Sequence, residues 1–389
     1  MSESSKFETL AIRTQTERTQ HREHSTPIFA TSSFVFEDAE QARATFSNEI
    51  EGNIYSRYSN PSNDEFIEKM CLLEGTEAGI STASGMAAMF ISIASFLRSG
   101  DHLLASRSLF GSTHQIITEL LPRWGITHTY IDINQPEDWE KNIQANTKMI
   151  FVESPSNPAL DLIDLEALGK LAKAYNIILN VDNCFTTPYL QNPVKFGANI
   201  VTHSATKFID GQGRVLGGAV LGSEDLIKEV LFMSRHTGPA MSPFHGWILS
   251  KSLETLSVRM DKHCQNALVL AHCLEDITQV NFVKYPFLPS HPQYELAKKQ
   301  MRAGGGLVTF ELKGGQTEAQ NFLNKLKMLS LTSNLGDTRS IATHPASTTH
   351  SKLTPEQRQQ VGISDGLIRI SVGLEHIEDI IEDISQALE

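Results

Sequence analysis

The 389-residue chain has little of what marks a specialised class of protein. Its four cysteines, Cys71, Cys184, Cys264 and Cys273, form no CxxC pair and are too sparse for a disulfide framework. No run approaches the ~18 apolar residues that a membrane span requires. Lys and Arg number 33 against 45 Asp and Glu, and a net charge of -12 argues against binding a nucleic-acid backbone. A GxxxxGK[ST] phosphate loop is absent. The opening residues, MSESSKFETLAIRTQTERTQ, contain no apolar core of a secretory signal. These absences leave a cytoplasmic globular enzyme as the expectation, without nucleic-acid or membrane partners. The 40% hydrophobic and 20% charged content is ordinary for such a chain. Its length allows two packed domains, or one large α/β domain with a smaller companion.

What the chain does contain is organised around residues 199–218, NIVTHSATKFIDGQGRVLGG. A short β-type run, Ile200 and Val201, turns polar at His203, Ser204, Ala205 and Thr206, and Lys207 follows at once. Gly211, Gly213, Gly217 and Gly218 make the remainder glycine-rich. Hydroxyls spaced two apart can donate to one anion, and an adjacent lysine can condense with a carbonyl. Pyridoxal phosphate needs both, an imine partner for its aldehyde and a cradle for its phosphate. The plain competing reading is a strand that ends in a surface lysine beside a flexible loop. A rival of another class is a nucleotide-binding module, from the dinucleotide-like GQGRVLG. Its third glycine comes one residue late, and it follows the strand–helix series instead of opening it.

Residues 1–60 are polar and weakly periodic, as in an extended arm. Within them YSRYSNPS sets Tyr55 and Arg57 on one side of an extended chain, just before the turn residues Asn60 and Pro61. FIEKMCLLEG then repeats Phe66, Ile67, Met70 and Leu73 at helical spacing, with Gly75 as a stop. Ser81 to Gly85 form a small-residue turn feeding a helix, whose first N–H groups and dipole can take an anion. From Asp101, strand-like HLLAS, ITHTYI, KMIFVES and NIILNVDN alternate with helical STHQIITELLPRW and ALGKLAKAYN. That alternation predicts a mostly parallel sheet covered on both faces, with ligands at the carboxyl ends of its strands. Three polar strand ends stand out: Glu153 to Pro158, Asp182 with Asn183, and Ser204 to Lys207. An aspartate at a buried strand end is costly unless paired, and a protonated pyridine nitrogen would pair Asp182.

Beyond Pro243, residues 246–275 read as one long helical stretch leading to a second domain. There GGLVTFELKGG and LIRISVG are strand-like and TEAQNFLNKLKML is helical. The expected division is an arm over 1–60, a cofactor-binding domain over 61–250 and a C-terminal domain over 251–389. His263-Cys264 and His272-Cys273 fall on one helix without metal-ligand spacing, so no metal is expected.

In their order, YSRYSNPS, SGMAA, ESPSNP, VDN, SATK, MSPF, HPASTTH and RISVG resemble the Cys/Met-metabolism family of pyridoxal-phosphate enzymes. The likeness runs from TPIFATSSF near residue 26 to LIRISVGLE near residue 367. It implies the α/β fold of type I: an N-terminal arm, a large cofactor domain with a mostly parallel sheet, and a smaller C-terminal α/β domain. It also implies a homotetramer of two active dimers. The resemblance puts the Schiff-base lysine on Lys207 and the pyridinium partner on Asp182. It puts the phosphate cup on the backbone of Gly85 and Met86, on the hydroxyls of Ser204 and Thr206, and on Tyr55 and Arg57 of a neighbouring subunit. Arg369 would clamp the substrate α-carboxylate, a bidentate task suited to guanidinium. Glu153 and Asn157 would lie near the cofactor's ring and hydroxyl, and Tyr55 and Asn334 would face the substrate.

Departures from the family pattern narrow the activity. Phe110 stands where most members stack a tyrosine on the ring, and Ser112 where methionine γ-lyases often carry cysteine. DGQGRVLGG replaces the commoner GHSD-type loop, and Asn334 stands where lyases and cystathionine synthases usually have serine. These features resemble the sulfhydrylase branch. The implied reaction is γ-replacement on an O-acylhomoserine, O-succinylhomoserine foremost, with sulfide, giving homocysteine for methionine biosynthesis. Cysteine as the thiol, an acetyl ester, or elimination from methionine are the implied alternatives.

Overall fold

The computed structural model describes residues 5–133, 135–351 and 353–389, which form two β-sheets wrapped by helices. The first sheet contains β1 (Ala78–Thr82), β2 (His102–Ser106), β3 (Thr127–Ile131), β4 (Thr147–Glu153), β5 (Ile178–Asp182), β6 (Ile200–Ser204) and β7 (Gly218–Gly222). Their spatial order is β1-β7-β6-β5-β4-β2-β3. All neighbours from β6 to β3 are parallel, whereas β7 runs antiparallel between β6 and β1. The strands are short continuous apolar runs because helices cover both faces, and a strand buried twice has no solvent side to alternate with. Parallel strands also end together at one edge, which gathers Glu153, Asp182 and Ser204.

Four helices precede or follow β1: α1 (Phe7–Arg13), α2 (Ala39–Phe46), α3 (Pro61–Glu74) and α4 (Gly85–Ala94). Asn60 caps α3 by accepting from the Ser62 N–H, Pro61 opens the helix, and Gly75 ends it at φ 84°. At α4, Ser84 accepts from the Ala87 N–H at 3.2 Å. Residues 1–60 thus hold two short helices where only an extended arm is expected. Buried Glu65 of α3 ties that arm down, accepting from Thr16 N at 3.0 Å, Thr26 Oγ1 at 2.6 Å and Ser250 Oγ at 2.6 Å.

The second sheet contains β8 (Val280–Lys284), β9 (Leu307–Leu312), β10 (Ser330–Leu331), β11 (Ile341–Thr343) and β12 (Leu367–Ser371), in the order β10-β11-β12-β9-β8. Arg369 sits in the middle of β12, between Thr309 of β9 and Thr343 of β11. Residues 246–275 form two helices, Pro243–Leu253 and Leu256–Glu275, and not one. At the break Ser252 O accepts from Thr255 N at 3.3 Å, in a turn tighter than the α-helix, and from Arg259 Nη2 at 3.0 Å. Residues 111–124 are likewise irregular, with an α-turn, a π-helix and a 3-10 helix in sequence, and Pro122 supplies no N–H to regularise them. Phe66, Met70, Phe208, Leu249 and Met260 share one core against the back of the large sheet. Burying such side chains contributes about 1.5–3 kcal/mol each. Among the described residues, no helix is long and apolar enough to cross a membrane.

Candidate active site

A cavity of about 320 Å³ opens at the carboxyl ends of β4, β5 and β6, roofed by the start of α4. Gly85, Met86, Phe110, Glu153, Asn157, Asp182, Ser204, Thr206, Lys207 and Arg369 all line it, which unites ten residues expected from the sequence. Asn334 joins them by a hydrogen bond, accepting from Lys207 Nζ at 2.6 Å. Tyr55 and Arg57 do not line it. The Arg57 side chain lies over the Tyr58 ring and donates to Arg235 O, and it borders a separate hollow of about 420 Å³ with neither the lysine nor the aspartate.

Strand register places the carboxyl groups. Glu153 and Asp182 are paired Cα partners on β4 and β5, so both side chains leave the same face. Burial raises the Asp182 pKa to about 6; the Cys184 N–H, donating to Oδ1 at 3.0 Å, and His203 oppose that rise. Burial and then the neighbouring Asp182 push Glu153 well above the usual carboxylate range, against the Phe110 N–H at 2.9 Å and Arg369. Burial lowers the pKa of Lys207, the nearby Arg369 adds to the effect, and Cys184 opposes it. Arg369 is 1% exposed and donates from Nη1 to Asn157 Oδ1 at 2.9 Å and from Nη2 to Asn334 O at 3.3 Å. Burial brings it down to about 10, against Glu153, so it stays charged at neutral pH.

The opposite wall presents hydrogen-bond donors to the cavity. An α-helix leaves its first N–H groups without internal acceptors; Ser84 takes that of Ala87, while Gly85 and Met86 face the cavity. A Cβ on Gly85 would lie 2.4 Å from Ser204 Oγ, so only glycine lets helix and hydroxyl converge. The Gly217 N–H donates to Thr206 Oγ1 at 3.1 Å, which orients that hydroxyl. The sequence reading missed Ser84, Met89, Thr113, Cys184, Phe185, Leu216 and Leu335 in the lining. Cys184 and Leu335 adjoin named residues, two places after Asp182 and one after Asn334, and that adjacency was the available signal.

Nearly the whole chain superposes on a Campylobacter jejuni crystal structure that carries N'-pyridoxyl-lysine-5'-monophosphate. The TM-score is 0.96 at 35% identity, covering 99% of this chain and 100% of that one. The fold is therefore that of the pyridoxal-phosphate-dependent α/β enzymes. The chain belongs to the Cys/Met metabolism PLP-dependent enzyme family, whose model matches residues 8–389. It is 47% identical over 386 residues to an O-succinylhomoserine sulfhydrylase of Pseudomonas aeruginosa, covering 99% of this chain and 96% of that protein. A Mycobacterium tuberculosis O-succinylhomoserine sulfhydrylase is 44% identical, with 98% and 95% covered. An L-methionine gamma-lyase of Porphyromonas gingivalis is also 44% identical, with 94% and 92% covered.

Two observations test whether the cavity fits the cofactor and an amino-acid substrate. Gly85 lets the helix N-terminus pack directly on Ser204, so that backbone N–H groups and a hydroxyl converge on one corner of the cavity, as an anionic group requires. Arg369 Nε is buried without a partner among the described residues, a donor awaiting a carboxylate. Both fit.

Proposed function

We propose that this enzyme replaces the γ-substituent of O-succinylhomoserine with sulfide, forming homocysteine. The observation that carries the reading is the single cavity lined by Lys207, Asp182, Arg369 and Phe110, in a chain close to O-succinylhomoserine sulfhydrylases. When bound, pyridoxal phosphate supplies an aldehyde for covalent attachment of the substrate amine and a sink for negative charge at Cα and Cβ. The amides of Gly85 and Met86 and the hydroxyls of Ser204 and Thr206 would hold its phosphate. Asp182 would pair with its ring nitrogen and favour the protonated form. Arg369 receives the α-carboxylate on its free Nε and guanidinium edge. Lys207, its pKa lowered by burial, reaches its neutral form more readily and takes the Cα proton. Loss of a Cβ proton then lets the Cγ–O bond break, with succinate leaving with the electron pair; hydrosulfide forms the Cγ–S bond, and protons return to Cβ and Cα, the latter from Lys207. Phe110 contributes a face without a hydroxyl, so an ester that leaves without acid assistance suits the site better than a thioether.

Tyr55 is 42% exposed and Arg57 lies outside the cavity of its own chain, which supports their donation to a neighbouring subunit in a tetramer of two active dimers. Four unpaired cysteines support residence in the reducing cytoplasm. The test compares three reactions on one preparation: homocysteine from O-succinylhomoserine and sulfide, cystathionine from the same ester and cysteine, and α-ketobutyrate from methionine. The first should be fastest. A faster methionine cleavage would transfer the assignment to the lyases. O-acetylhomoserine, run beside the succinyl ester, reports the acyl preference.

A further inference from the structure

We infer that Glu74 is a positioning residue for the cofactor, acting from the far side of the sheet. The inference rests on the cofactor reading of Lys207, Asp182 and Ser204. Glu74 ends α3 and is 1% exposed. Its Oε2 accepts from His203 Nε2 at 2.9 Å and from Asn183 Nδ2 at 3.4 Å. Those two residues adjoin the cofactor residues on neighbouring strands: His203 immediately precedes Ser204 on β6, and Asn183 immediately follows Asp182 on β5. Alternation along β6 sends His203 to one face of the sheet and Ser204 to the other. One carboxylate oxygen therefore fastens both strand ends from behind, while their functional side chains face forward.

The clamp is reinforced on the Asn183 side. Asn183 N donates to Thr202 O at 3.0 Å, and its Nδ2 also donates to Gln191 O at 2.9 Å. Its Oδ1 accepts from Gln191 Nε2 at 3.0 Å and from Thr186 Oγ1 at 2.5 Å. Asn183, His203 and Glu74 are all buried in full. Glu74 Oε1 and His203 Nδ1 have no partner among the described residues, so the interior tolerates two unsatisfied atoms to keep this pair. A buried ionisable pair is a poor source of stability compared with apolar packing, and what it supplies is fixed geometry. His203 also lies close enough to Asp182 to oppose the effect of burial on that carboxyl.

The experiment compares holoenzyme variants for the rate of cofactor loss on dialysis, the visible circular dichroism of the bound cofactor, and Tm. Glu74→Gln removes the charge and keeps the volume. His203→Leu removes the donor, whereas His203→Gln retains one of similar reach. Asp383→Asn is the control: it weakens a buried carboxylate that accepts three backbone N–H groups from residues 327–329, none of which line the cavity. Cofactor loss should quicken about tenfold in E74Q and H203L, the size of one lost charge-assisted hydrogen bond. The dichroic band should change in both, H203Q should stay near wild type, and D383N should lower Tm alone. Wild-type cofactor retention and dichroism in E74Q and H203L would overturn the inference, as would losses that merely follow Tm across all variants. Should E74Q fail to fold, the H203L and H203Q pair decides alone. Borohydride reduction of the wild type checks the underlying reading separately: label outside Lys207 refutes the site, whatever the variants do.

Discussion

Replacing Gly85 by alanine is the sharpest probe of the proposed phosphate cradle. The new Cβ would stand 2.4 Å from both Cβ and Oγ of Ser204 and 2.8 Å from its Cα. The last contact is with backbone, so no rotamer change at Ser204 relieves it. Two effects compete. Alanine in a helix gains up to about 1 kcal/mol over glycine, while forcing a methyl into a packed site costs about 1–3 kcal/mol. The clash wins because strand β6 is paired on both sides and cannot retreat freely. Separation of α4 from Ser204 then spoils a charge-assisted hydrogen bond to the phosphate, about 1.5–3 kcal/mol, which is roughly ten- to a hundredfold in cofactor affinity. Titration of G85A with pyridoxal phosphate, followed by the cofactor's visible absorbance, measures the loss, and saturating cofactor should restore part of the activity. An affinity within twofold of wild type would refute the cradle, and a fall in Tm without a fall in affinity would reduce Gly85 to a packing residue.

Arg369→Lys should raise the KM for O-succinylhomoserine at least about tenfold, since an ammonium cannot make two parallel bonds to a carboxylate; steady-state kinetics with an unchanged KM would remove Arg369 from substrate binding. Arg57→Ala and Lys207→Ala proteins should each be nearly inactive and should regain partial activity when mixed and reassembled; verified hybrids without recovery would argue against a site shared between subunits. Stability should fall with acid through His263, whose pKa burial depresses to about 4. Unfolded histidine takes up its proton from about pH 6.5 downward and the folded one only near 4, so the unfolded state binds more protons in that window. The loss approaches roughly 3 kcal/mol, and His263→Asn, which keeps a donor for Val372 O, should flatten the fall of Tm between pH 6.5 and 4.

The sequence declared its buried parallel strands because an apolar run ending in a polar pair has few other uses, as at KMIFVES and NIILNVDN. It concealed β1 and β7. AGIST and GAVLG are too small and glycine-rich to read as strands, and they form because each pairs with the other across the sheet. The chemistry was legible wherever one short segment held it, as at Ser204 to Lys207. Long-range partnerships were not: Lys207 meets Asn334 across 127 positions and Arg369 meets Asn157 across 212. The helix break near Thr255 was not legible either, and the Arg259 side chain that meets the Ser252 carbonyl there also donates to Phe208 O and Ile209 O.

That arginine bears on how the lysine moves. Lys207 rides on the connection between β6 and its antiparallel neighbour β7, and this main chain is tied on both sides of it. Asp210 N donates to Ala205 O at 2.9 Å, Gly211 N to Lys207 O at 2.8 Å, and Thr338 N to Gly211 O at 2.9 Å. Arg259 holds the next two carbonyls at 2.6 and 3.1 Å. In the proposed reaction the amine is thus a tethered reagent whose excursions belong to its own side-chain torsions and not to loop opening. Tethering of this kind reaches effective concentrations of about 10⁵ M and above. A free amine added to a Lys207→Ala protein therefore competes with a concentration that no solution attains, and it would restore only a trace of the turnover.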